Sequence, residues 1–302
     1  MADDLEAFEK AISNKDENSV IDFTLNHSTE ERVKICGEYE SKFGRKLLDD
    51  FKKKFKSEFL AVLNGLYKDP IEYDADLLYE AMKGIGSDKD IITEVLTFRT
   101  PEQLNKIKVK FQEKYGKDLI AEIKDETSGD YRKIVLALLD GNRGTNSSPD
   151  LENCSKIADE IYQAGEAKSG TDEEIFIKYF TTLSSAELLL VCKEYHKKYN
   201  KNMLDIINNE FNSHTQKLLK IILYALYSPA EFFARQIHDS VAGLGTADSQ
   251  LIRSIISRAE IDMPKIRKYY KKIFNKEMID EVNDDLSGSY QKIIEGLMKK
   301  LI

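Results

Sequence analysis

The 302-residue chain has no tryptophan, five prolines and three cysteines. It also has no apolar run near the roughly 18 residues that span a bilayer. The densest stretch, IILYALY at 221–227, has the length of a core helix. Cys36, Cys154 and Cys192 are odd in number and widely spaced, with no C-x-x-C, so they read as reduced, mostly buried thiols of a cytosolic protein. No secretory signal is expected, because MADDLEAFEK is acidic and carries no apolar core. Almost nothing precedes the first repeat described below, so a partner bound through a long N-terminal tail is not expected. Nor is there an excess of basic charge: 45 Lys and Arg against 53 Asp and Glu give a net −8. That excludes a nucleic-acid protein held by bulk electrostatics, and it excludes unaided adhesion to an anionic membrane. Something would have to bridge.

What is present is helix-forming and repetitive. Hydrophobic residues make up 41% and charged residues 32%, enough for a large core. Four segments share one template: FGRKLLDDFKKKFKSEFLAVLNGL from 43, YGKDLIAEIKDETSGDYRKIVLALL from 115, YNKNMLDIINNEFNSHTQKLLKIIL from 199 and FNKEMIDEVNDDLSGSYQKIIEGLM from 274. The same offsets carry Leu66 onto Leu138, Ile222 and Leu297, and Gly86 onto Gly170 and Gly245. Such repetition predicts an array of like units. Within the second copy, Tyr73–Lys83 reads as a helix with Leu77, Leu78 and Ala81 on one stripe. GIGSDKD (84–90) breaks it, and Ser87 with Asp90 reads as a capping box, as does Thr171 with Glu174 in the third copy. Further helices follow through Ile91–Leu96, from Pro101 with Leu104, Ile107 and Phe111 at helical spacing, over Lys117–Glu126 and over Tyr131–Leu139. No strand alternation is found.

The predicted fold is therefore all-α, four repeats of five short helices: 1–70, 71–141, 154–228 and 229–302. The Gly/Asn/Ser/Pro-rich linker at 142–153 divides the chain into two halves of two consecutive repeats. The joints near Pro70 and Pro229 are short.

Conventional catalytic signatures are missing, and no enzyme is expected. His27, His196, His214 and His238 have no metal-ligand spacing, and no H-E-x-x-H, G-x-S-x-G or Walker motif occurs. The strongest signal lies in two glycine loops, KGIGSD (83–88) and AGLGTA (242–247). Glycines let successive carbonyls converge as hard oxygen ligands. Glu126 follows Gly84, and Asp285 follows Gly243, by the same 42 residues, both at the junction of the fourth and fifth helices. If the third helix crosses one end of a four-helix bundle, loop and acid meet at the other, forming a partial oxygen cage for Ca²⁺. An EF-hand is excluded, since Val135 or Ile294 would occupy the position that needs a bidentate Glu.

This pattern, Gly-x-Gly-[Ser/Thr] loops with an acid about forty residues later in a four-fold five-helix repeat, closely resembles the annexins from Leu5 to Ile302. The resemblance implies a slightly curved disc with calcium loops on its convex face. It implies ligands from the carbonyls of Met82, Gly84 and Gly86 with Glu126, and of Val241, Gly243 and Gly245 with Asp285. For AGEAKSGTDEE (164–174), it implies Gly165, Lys168 and Gly170 with Glu210. Repeat 1 departs: AISNKDE (11–17) lacks both glycines and Lys54 falls at the acid's position, so no calcium is expected there. Arg99 and Arg258 match arginines of the family and read as structural. The family often has a Trp at the third loop's tip; Ser169 stands here, so insertion into the bilayer should be weaker.

The function implied is calcium-dependent docking on anionic phospholipid from the cytoplasm, the ion bridging protein and lipid phosphate. Ile85 and Leu244 would touch the interface, and Lys83, Lys89 and Lys168 would meet phosphates. Self-association on the membrane is compatible with this reading. The alternative is a metal-free helical scaffold for a protein partner.

Overall fold

The computed structural model describes residues 2–84 and 86–300, which form twenty α-helices and no strand. Repeat 1 comprises α1 (Ala2–Asn14), α2 (Glu17–Leu25), α3 (Thr29–Phe43), α4 (Leu47–Lys54) and α5 (Ser57–Leu66). Repeat 2 comprises α6 (Pro70–Met82), α7 (Lys89–Phe98), α8 (Pro101–Tyr115), α9 (Leu119–Glu126) and α10 (Gly129–Asp140). Repeat 3 comprises α11 (Leu151–Ala164), α12 (Glu173–Thr182), α13 (Ser185–Tyr199), α14 (Met203–Glu210) and α15 (Ser213–Tyr227). Repeat 4 comprises α16 (Pro229–Val241), α17 (Asp248–Arg258), α18 (Met263–Phe274), α19 (Met278–Asp285) and α20 (Gly288–Lys299). Pro70 and Pro229 therefore open helices rather than lie in joints, because a first-turn residue has no N–H bond to lose.

The helix ends are written into the sequence. Thr100 and Gln103 form a capping box on α8, as do Ser28 with Glu31 on α3 and Ser184 with Glu187 on α13; each cap contributes about 1 kcal/mol. Left-handed Gly44, Gly116, Asn200 and Asn275 close the third helix of each repeat. The capping boxes expected at Ser87–Asp90 and Thr171–Glu174 are not formed. Asp88 caps α7 instead, and the hydroxyls of Ser87 and Thr171 are used elsewhere. The stripes are buried as their spacing requires, including Leu78, Leu104, Ile107 and Phe111. Each such side chain contributes roughly 1.5–3 kcal/mol.

Packing pairs the repeats differently from the linker-based division. One compact unit is Met1–Asp69 with Ala230–Ile302, the other Pro70–Pro229. Repeats 2 and 3 thus share a unit, in which α7 packs on α15 and α10 on α12. The linker inside it is pinned. The Arg143 guanidinium donates to the Phe180 carbonyl at 2.7 Å, the Gly144 N–H to Thr182 at 2.8 Å, and the Ser184 hydroxyl to Asn146 at 2.7 Å. A composition that reads as a flexible joint is here backbone that side chains can reach.

In the other unit, α2 packs on α20 and α5 on α17. Gly296 permits the first contact, since a Cβ there would lie 2.2 Å from Leu25 Cδ1. A buried ion pair joins repeats 1 and 4. Arg32, 1% exposed, donates to Glu260 Oε1 at 2.9 Å and to the carbonyls of Leu66, Thr24 and His27. Burial opposes ionisation of Glu260, but the Thr29 N–H, the Lys300 ammonium and the Arg32 guanidinium outweigh it and hold the carboxyl down to about 2. The folded state therefore prefers the charged form, and its stability should fall as pH drops from about 4.5 toward about 2. Glu260→Gln should flatten that decline in acid melting curves; an unchanged pH slope would remove Glu260 from the account.

Arg99 and Arg258 are braces. Arg99 pairs with both oxygens of Asp74, at 2.5 and 2.9 Å. Arg258 pairs with Asp262 at 2.5 Å and lies 4.8 Å over the Phe233 ring.

Candidate metal centres

The interhelical loops are built on one plan. The Asp88 N–H donates to the Ala81 carbonyl at 2.7 Å, enclosing residues 82–87. The Ala247 N–H does the same to Ser240 at 2.8 Å, enclosing 241–246, and the Asp172 N–H to Ala164 at 2.7 Å, enclosing 165–171. Two residues before each closing N–H stands a glycine of nearly constant φ: Gly86 at +82°, Gly170 at +83° and Gly245 at +81°. A side chain would meet nothing within 4 Å at any of the three, so the backbone angle, not space, demands glycine. Gly84 also has positive φ, +100°, whereas Gly243 does not.

The expected carbonyl donors lie in these loops. Met82 and Val241 are the last residues of α6 and α16, whose carbonyls a helix leaves without a partner one turn on. Gly84, Gly86, Gly243, Gly245, Lys168 and Gly170 are exposed. The Gly165 carbonyl already accepts the Lys168 N–H at 3.1 Å, which leaves it one lone pair.

Loop and acid meet in two repeats. The Ser87 hydroxyl donates to the Glu126 carbonyl at 3.1 Å. Thr171 donates to the Glu210 carboxylate at 2.5 Å and lies 3.4 Å from its carbonyl. A Cβ on Gly165 would stand 3.2 Å from Glu210 Cδ, so this glycine eases the close approach of the acid. Ser87 and Thr171 are thus latches that hold each loop to its acid. In repeat 4, Asp285 is exposed, and among the described residues no hydrogen bond ties it to its loop. Tyr290, just beyond it, lies beside Asp248 at the start of α17. Burial and that carboxylate raise the Tyr290 pKa. Leu244, at this loop's tip, is 109% exposed; Ile85 lies outside the described residues.

The sequence left one further residue unremarked. Tyr39 and Tyr270 donate to an acid of the fourth helix, Asp50 and Glu281. Repeat 3 has Ile206 in that register, and its longer loop supplies Glu166 instead. Tyr195 reaches Glu166 at 3.0 Å and Lys201 pairs with it. The substitution of Ile206 was the available signal.

Repeat 1 differs in length as well as composition. The Asp16 N–H donates to Ala11 at 2.9 Å, enclosing only residues 12–15, two fewer than in repeats 2 and 4. Lys54 does not stand as a bare repelling charge. Its ammonium donates to the Ser13 carbonyl inside that loop at 2.9 Å.

Within each unit the loop ends share a side. Lys217, at the start of α15, pairs with Asp90 at the start of α7 at 2.6 Å, and Lys133 of α10 pairs with Glu174 of α12. In the other unit, Ser289 of α20 bonds Glu17 of α2, and Lys292 donates to Asn18 at 2.9 Å. The donor sets suit a hard cation. Among the described residues no group of three or more His, Cys, Asp or Glu could hold a metal.

Helical repeats whose interhelical loops present carbonyls beside one acid define a class of protein with backbone-built cation sites. The annexin family model matches residues 2–66, 73–138, 157–222 and 232–297, and the chain belongs to the annexin family. It is 33% identical to mouse annexin A5 over 293 residues, covering 96% of this chain and 92% of that one. With human annexin A7 it shares 30% over 297 residues, 98% of this chain but 61% of the relative's length. The solved structure of annexin III superposes with a TM-score of 0.94 at 33% identity, covering 98% and 93% of the two chains. Annexins bind calcium and phospholipid and in general are not enzymes. No helix among the described residues is long and apolar enough to cross a membrane.

Proposed function

We propose that the chain docks on anionic phospholipid in a calcium-dependent manner through the loops of repeats 2, 3 and 4. Met82, Gly84 and Gly86 with Glu126 would hold one ion, Gly165, Lys168 and Gly170 with Glu210 a second, and Val241, Gly243 and Gly245 with Asp285 a third. The observation that carries this reading is the latching of each of two glycine loops to its acid, by Ser87 and by Thr171, on a shared side of one unit. When bound, each ion supplies positive charge and open coordination positions for a lipid phosphate. The chain's contribution is to fix the loops, supply neutral oxygens, and limit the negative charge to one carboxylate per site. Few charged ligands imply weak intrinsic affinity, roughly 10⁻⁴–10⁻³ M, tightened by membrane through linkage and by several sites acting together. Repeat 1 holds no calcium in this mode. Leu244 offers an apolar tip to the interface. This is the behaviour of a cytoplasmic protein recruited peripherally when calcium rises.

Sedimentation with phosphatidylserine vesicles tests it. Pelleting should require calcium at or below millimolar concentration and reverse with chelator. Equal pelleting with chelator present would overturn the reading.

A further inference from the structure

Repeats 2, 3 and 4 present a carboxylate at the junction of the fourth and fifth helices, and on the reading above each must import an ion. Repeat 1 presents Lys54 in the same register. Lys54 stands at the end of α4, and its ammonium reaches the short loop, donating to the Ser13 carbonyl at 2.9 Å in an exposed hydrogen bond. Among the described residues this is its single acceptor, so two of its three N–H donors stay available. The loop that receives it lacks two residues present in repeats 2 and 4, and with them both glycines. Loss of loop and gain of ammonium are matched changes. A divalent ion with one carboxylate leaves one net positive charge, and an ammonium carries the same.

Two further cations lie close in sequence. Lys15 follows Ser13 by two residues, exposed in a left-handed turn at φ +57°, and Lys56 follows Lys54, also exposed. Asp16 and Glu17 keep their negative charge beside these lysines but are held in place: Asp16 caps α2 through the Ser19 N–H and hydroxyl, and Glu17 accepts from Ser289 of repeat 4. That last bond also sets direction, because it joins the loop end of repeat 1 to the junction that follows Asp285. A membrane reached by the repeat 4 loop lies on the side where Lys54 stands.

We propose that Lys54 replaces the ion in repeat 1: its ammonium, held over the loop by the Ser13 carbonyl, binds a lipid phosphate directly and without calcium. The inference rests on the calcium-dependent docking proposed above and adds to it a permanent, ion-free contact beside the repeat 4 loop. Free phosphate has the same chemistry, but a contact aligned with a membrane-facing loop points to the lipid.

The test uses the full chain at saturating calcium with vesicles of mixed phosphatidylserine and phosphatidylcholine, titrated in lipid. Lys54→Gln keeps an N–H for the Ser13 carbonyl and removes the charge; Lys54→Arg keeps both. Lys54→Gln should weaken vesicle binding about fivefold at low salt, and less at high salt, with an unchanged melting temperature. Lys54→Arg should bind as the wild type does. Equal affinities for wild type and Lys54→Gln would overturn the assignment while leaving calcium-dependent docking intact. Failure of the wild type to bind at all would overturn both. If the two proteins bound vesicles equally while only the wild type bound inorganic phosphate, titrated without calcium, Lys54 would be a free-phosphate site and the lipid assignment would fall.

Discussion

Glu126→Gln combined with Glu210→Gln should raise the calcium concentration for half-maximal vesicle binding by roughly tenfold or more. The two acids belong to one unit, and their loops lie on one side of it, linked by Lys217 to Asp90 and Lys133 to Glu174. On the docking proposed above their sites would act on a membrane together, and removing both charges would lose the gain from joint engagement as well as each ion's own affinity. The substitutions are mild in other respects. Ser87 bonds the backbone carbonyl of Glu126, which Gln retains, and the Gln amide oxygen at 210 can still accept from Thr171. Asp285→Asn in repeat 4 should add a smaller increment, since that acid is exposed and unlatched. The measurement is the calcium midpoint of sedimentation at fixed lipid. A midpoint that stays put in the double variant, with pelleting still calcium-dependent, would move the ion sites elsewhere.

The largest loss of stability is expected from Asp74→Ala. Asp74 is 2% exposed and both its oxygens are taken by Arg99, itself 16% exposed. Truncating the acid leaves a buried guanidinium without its hydrogen-bonded partner, with only the charge of Glu94 nearby, at a cost of up to about 3–5 kcal/mol. For a unit of this size that corresponds to a fall in melting temperature of about 10 °C. Adding Arg99→Leu should restore part of the loss, because burying two apolar groups is less costly than burying one unpaired charge. A melting temperature within about 2 °C of the wild type for Asp74→Ala would show that the pair contributes little.

Reading the chain in order located most of what matters locally. The 3/4 spacing of Leu104, Ile107 and Phe111 placed α8, and Thr100 ahead of Pro101 marked its start. Gly86, Gly170 and Gly245 marked the loops because their φ near +82° is an angle that other residues rarely adopt. The hydroxyls differ: Ser87 and Thr171 have the spacing of capping residues, yet each reaches an acid 39 positions away. A hydroxyl two residues before a helix can bond either the local N–H or a distant oxygen, and only the approach of the fourth helix settles which. Lys54 was legible as a missing acid, but its bond to Ser13 was not, since the shortening of the loop brings that carbonyl within reach.

Helices, their caps and the glycine loops follow from short-range rules of backbone geometry and apolar spacing, and these the linear chain carries. Which repeats pack together does not follow from them. The linker at 142–153 looks like a boundary between pairs, yet repeats 2 and 3 pack across it and repeat 1 returns to repeat 4. That outcome depends on complementary surfaces such as Gly296 against Leu25 and Arg32 against Glu260, hundreds of residues apart. Burial and charge pairing act through space, so the side on which each loop meets its neighbours was settled only once the helices had packed.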